Sequence, residues 1–153
     1  MIPHLPLEDV RVPCLIPESE IRALMENLRV REAKTVVLRL MMVAFAAGEL
    51  LQSRSQGQPD EALLLFIKRV AREDNDKRYR HLMDAIVASL GSEKEDEEWL
   101  KGFGSVYMTI ARAMECVGQL LPDQETTIKM YEERLKEIRQ MGNQKRHNQT
   151  IEV

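Results

Sequence analysis

The sequence predicts an all-α fold: a single-domain bundle of five or six helices around a central hydrophobic helix, with an extended N-terminal arm and a disordered C-terminal tail. Three observations support it. Apolar residues recur at helical spacing from Ile21 to Ile138. Helix-start residues precede most of these stretches. The stretch from Val36 to Leu51 is apolar almost all round, as a helix buried on most sides must be.

Composition agrees with one domain. The chain has 153 residues and a mass of 17.7 kDa. Hydrophobic residues make up 44%, enough for a buried core, and charged residues 31% with a net charge of −3. Two cysteines are too few for a disulfide scaffold. The slight acidic excess argues against a strongly basic nucleic-acid module. No basic segment followed by an apolar run opens the chain, so no secretory signal is read. Val36–Leu51 falls short of the about 20 apolar residues of a bilayer span, and it carries Arg39 and Glu49. Cys14 and Cys116 are read as buried free thiols, which fit a reducing compartment. Together these predict a soluble, cytoplasmic protein with no membrane contact.

Residues 1–16 are read as an arm. Prolines at positions 3, 6 and 13 oppose a helix, and Val10, Val12, Cys14 and Ile16 alternate with other residues in an extended period of two. The arm is expected to lie on its own bundle. Residues 17–141 form the bundle and residues 142–153 a flexible tail.

Pro17-Glu18, Pro59-Asp60 and Pro122-Asp123 each place a proline and acids at a helix start, where the missing amide costs nothing and the dipole favours negative charge. The first helix is predicted from Pro17 to Leu28 and the second from Arg31 to Ser53. A third segment begins at Pro59 and breaks within residues 72–78, which hold no apolar position; its continuation reaches Leu90. Ser92 and Glu95 have capping-box spacing and open a helix predicted to reach Leu121. Its stripe includes Trp99, Phe103, Val106, Ile110, Ala113 and Met114, and Gly102, Gly104 and Gly118 mark close approach or a kink. The last helix is predicted from Pro122 to Met141, ended by Gly142 and Asn143. Its narrow apolar seam is Ile128, Tyr131, Leu135 and Ile138.

Motifs for chemistry are scarce. His4, His81 and His147 have no ligand-type spacing, and there is no H-E-x-x-H, E-x-x-H or C-x-x-C. Gly102-Phe103-Gly104 lies inside a helical stripe and lacks a third glycine, and neither a Walker A nor a G-x-S-x-G sequence occurs. No catalytic residue, cofactor or metal is therefore assigned. Glu49 and Arg39, within the apolar helix, must each find a partner or reach the surface.

Charge is segregated instead. Lys68, Arg69, Arg72, Lys77, Arg78 and Arg80 form a basic segment, and Glu93 and Glu95–Glu98 an acidic one. Such faces guide partner choice. The sequence thus predicts a non-enzymatic adaptor, inhibitor or assembly subunit that binds another protein. Its contact residues are Lys68, Arg69, Arg72, Arg78 and Arg80, together with the seam of Ile128, Tyr131, Leu135 and Ile138. The alternative is a regulatory nucleic-acid-binding protein using residues 68–80, and the third reading is a bundle enzyme with carboxylates converging from separate helices. A homo-oligomer is also expected, because the arm, the apolar helix and the seam each offer surface to a second copy.

Overall fold

The computed structural model describes residues 13–73, 77–91, 95–118 and 123–151. All regular structure among the described residues is helical. In chain order, α1 is Glu18–Glu26, α2 Val30–Ser55, α3 Glu61–Arg72, α4 Lys77–Leu90, α5 Asp96–Val117 and α6 Gln124–Ile151. The chain is thus all-α, with one long apolar helix, as its sequence predicts.

Helices α2 to α5 form a square. Each packs on the next and α5 closes on α2, so that α3 and α5 lie on one diagonal and α2 and α4 on the other. The first helix lies against α5, and α6 against the edge made by α2 and α3. Three side-chain contacts fix which ends meet. Arg78 pairs with Glu32, joining the starts of α4 and α2. The Arg54 Nε lies 3.0 Å from Asp96 Oδ1, joining the end of α2 to the start of α5. The Trp99 indole N–H donates to the Leu90 carbonyl at 3.3 Å, joining the end of α4 to the start of α5. Neighbouring helices of the square are therefore antiparallel, as their short connections require.

The core runs through α2, where Val36, Val37, Leu40, Met42, Val43 and Ala46 are fully buried. Helix α2 is in fact long and apolar enough, by length and composition, to cross a membrane. The sequence estimate of a stretch too short to span counted only its most apolar part. Packing of this helix against α3, α5 and α6 accounts for its composition.

Helix starts follow local chemistry with small shifts. Asp60 caps α3 by accepting the Ala62 N–H at 3.0 Å, so Pro59 stands before the cap and not inside the helix. Pro17 itself occupies the cap position of α1. Asp123 accepts the Thr126 N–H at 3.3 Å at the start of α6. The helix expected from Ser92 begins at Asp96, with Glu95 as a cap that makes no side-chain bond. Acids in its first turn, Asp96, Glu97 and Glu98, favour the start through the dipole instead. Ser92, Glu93, Leu120, Leu121 and Pro122 lie outside the described residues.

Two glycines behave oppositely. Gly118 takes φ +45° and closes α5. Gly142, expected to end the last helix, keeps a negative φ, and α6 continues through it to Ile151. A helical glycine costs only about 1 kcal/mol relative to alanine, and no proline follows to break the hydrogen-bond ladder. The predicted interruption after Arg72 is present, since α3 stops there and α4 starts at Lys77.

At the arm's end, Ile16 is buried and the Leu15 N–H donates to Thr109 Oγ1 at 2.8 Å. These last residues lie on the chain's own bundle, and Val10 and Val12 fall outside the described residues. Cys14 is partly buried and Cys116 is exposed, both as free thiols. Cys116 was expected inside, but it falls next to Glu115 on the solvent side of α5.

Candidate functional site

Helix α3 has two faces. Leu63, Phe66, Ile67 and Val70 are buried in the bundle. At about 100° per residue, Leu65 falls about 200° from Leu63 and so faces out. It is 42% exposed. Lys68, Arg69 and Arg72 share that outer side, and all three are exposed. The Arg69 guanidinium reaches Met141 Sδ of α6 at 3.6 Å, and Met141 is itself 42% exposed. Among the described residues, Lys68, Arg69 and Arg72 have no carboxylate at ion-pair distance. The outer face is therefore an apolar pair framed by three bases that no described carboxylate pairs with.

The other two predicted bases are engaged within the chain. Arg78 pairs with Glu32. Arg80 lies 3.6 Å from Asp84 and donates to the Ala71 carbonyl at 3.3 Å. Neither adds free charge to the α3 face. The acid nearest this end, Glu73, is also engaged, by Arg39 at 3.5 Å and Arg134 at 2.5 Å.

The seam of α6 is spent on the chain's own core. Tyr131, Leu135 and Ile138 are buried against α2 and α3. Ile128 is half-buried and lines an open groove of about 680 Å³ between α2 and α6. Phe45, Gly48, Glu49 and Leu135 line it too. Within it the Tyr131 hydroxyl donates to Glu49, the acid that the apolar helix left in need of a partner. Burial, then this bond and the negative charge of Glu49, push the Tyr131 phenol well above its ordinary range. The Tyr131 ring meets Phe66 edge-on at 5.1 Å and Phe45 at 5.8 Å.

At the start of α5, beside the end of α2, Glu95, Glu97 and Glu98 are exposed, with Leu100 at 49% exposure. Asp96 is held by Arg54, whose guanidinium also lies 4.7 Å from the Trp99 ring centroid. Glu93 falls outside the described residues. Among the described residues, no group of three or more His, Cys, Asp or Glu side chains is placed to hold a metal ion. His81 is exposed.

Sequence reasoning picked out the bases but missed Leu65, Leu100 and Met141. A helical wheel of α3 carries the signal for Leu65, since its apolar run is longer than one face needs. The exposure of Met141 depends on where α6 crosses α3, and no local pattern reports that.

Compared with protein-family models, curated proteins and solved structures, the chain matches none. What the fold itself defines is a class: an all-α helical bundle built on one long apolar helix.

Proposed function

We propose that this protein is a non-enzymatic, intracellular adaptor or assembly subunit that acts through protein–protein contacts. Its contact surface is the outer face of α3, with Leu65 and Met141 framed by Lys68, Arg69 and Arg72. The partner surface is acidic and carries at least one apolar side chain. One observation supports this above the others: exposed large apolar residues coincide with bases that, among the described residues, have no carboxylate at ion-pair distance. Exposed apolar groups framed by charge are a common form of partner contact, the charge steering encounter and the apolar centre holding it.

Nucleic acid is the competing occupant of the same face. The engagement of Arg78 and Arg80 reduces the bases open to phosphate contact, and no aromatic stacks on this face. A tagged chain and its Lys68→Glu/Arg69→Glu/Arg72→Glu variant, compared in source lysate with and without nuclease, decide between them. The expected result is a stoichiometric protein that survives nuclease and is lost from the variant. Equal recovery by both chains overturns the assignment of the face, and loss on nuclease treatment transfers it to nucleic acid.

A further inference from the structure

Resting on the α3 face as the contact surface, we infer that its occupant is the start of α5 from a second copy, the two helices packing antiparallel with Leu65 against Leu100. The case begins with register. On α3, Lys68 and Arg69 follow Leu65 by three and four residues. On α5, Glu97 and Asp96 precede Leu100 by three and four. In an antiparallel pair, the C-terminal side of one helix meets the N-terminal side of the other. Leucine on leucine therefore sets Lys68 against Glu97, about one turn (~5 Å) along the axis, and brings Arg69 to the side of Asp96, which Arg54 of its own chain already holds. Lys101 falls on the other side of the leucine contact, toward Glu61. Both leucines are among the large apolar side chains left exposed, with Val30 and Met141.

This contact cannot form within one chain. Helices α3 and α5 lie on a diagonal of the square. The bases of α3 sit at the end where α2 and α4 begin, and α5 starts at the opposite end, where Arg54 meets Asp96. The same placement decides the symmetry. Surfaces on diagonal helices do not share one two-fold interface, so the contact is heterologous and propagates head to tail or closes into a ring.

Two assembly-defective variants test this directly. Lys68→Glu/Arg69→Glu removes the basic face and keeps the acidic one. Glu97→Ser/Leu100→Ser does the reverse, without a charge that the first variant's reversed face could pair with. All four side chains are exposed, and circular dichroism with Trp99 fluorescence verifies the fold. Sedimentation velocity of the full chain is expected to show species larger than a dimer as concentration rises. These species dissociate between 0.1 and 1 M salt, where the screening length falls from about 10 Å to about 3 Å. Each variant alone lowers the association constant by about tenfold or more and stays monomeric. Mixed, they form a dimer and nothing larger, because only one competent pair of faces remains. A monomeric wild type, variants that associate like wild type, or a mixture that stays monomeric each overturns the inference. A monomeric wild type whose lysate partner is still lost on Lys68→Glu/Arg69→Glu refutes self-association alone and leaves the adaptor reading in place.

Discussion

Arg39 Nε lies 3.5 Å from Glu73 Oε2, and the same carboxylate accepts from Arg134 at 2.5 Å, so one acid at the end of α3 links α2 to α6. The Arg39 side chain is only 14% exposed, and its guanidinium also donates to the Tyr79 hydroxyl at 3.4 Å. A charge inside the apolar helix is tolerated because these partners replace water. Replacing Glu73 by Ala strands part of that charge. The expected loss is about 1–2 kcal/mol, reduced from a fully buried case by solvent screening at Glu73. Urea unfolding monitored at Trp99 measures it, and Glu73→Gln is expected to lose less.

The Tyr131–Glu49 bond predicts a pH dependence. The Tyr131 phenol is raised in the folded chain, chiefly by burial. A free tyrosine titrates near about 10. Below that value both states hold the proton, and the stabilising contribution is fully present. Above it the unfolded chain releases the proton while the folded chain retains it, so stability falls as pH rises toward the folded value. Unfolding free energy is expected to decline between about pH 9 and 11, and Tyr131→Phe should show a shallower decline. An unchanged slope in the variant refutes the assignment of this titration to Tyr131.

Three glycine-to-alanine substitutions are expected to differ in sign. At Gly142 a Cβ meets nothing within 4 Å, so alanine stabilises α6 by up to about 1 kcal/mol. At Gly118 the φ of +45° opposes any side chain, and alanine costs about 1 kcal/mol. At Gly102 the new Cβ would lie 3.1 Å from the Ser89 carbonyl oxygen. There the propensity gain and the crowding of α4 nearly cancel, and Gly102→Val is strongly destabilising. Thermal unfolding of the four variants gives the order.

Thr109 holds the end of the arm. It is fully buried; its hydroxyl accepts the Leu15 N–H at 2.8 Å and donates to the Ser105 carbonyl at 2.7 Å. Thr109→Val keeps the shape but leaves the Leu15 amide without its acceptor, at a cost of about 1–3 kcal/mol. Hydrogen exchange at Leu15 is expected to accelerate in the variant while α5 amides stay protected.

Trp99 joins α4 to α5. It is 1% exposed, stacks on Phe103 at 5.5 Å and donates to the Leu90 carbonyl. Trp99→Ala is expected to cost about 3–5 kcal/mol, a large part of the stability of a domain of this size. Because Trp99 is the single tryptophan, circular dichroism in urea replaces fluorescence as the readout for this variant.

The sequence by itself determined the helices. Their apolar stripes repeat every three or four residues, and that spacing reflects local backbone geometry. The break after Arg72 and the start signals at Asp60 and Asp123 were legible for the same reason. So was the need for partners at Arg39 and Glu49, since a charge in an apolar helix must be answered somewhere. The tertiary structure alone decided who answers. Arg78 and Arg80 read as free bases in sequence, yet Glu32, Asp84 and the Ala71 carbonyl engage them. The α6 seam read as a partner surface, yet Tyr131, Leu135 and Ile138 pack inside their own chain. Leu65 and Leu100 were not singled out in the sequence, yet they stand in solvent. Pairing and exposure depend on which helices become neighbours, and those neighbours are set by contacts between residues far apart in the chain, which local periodicity does not encode.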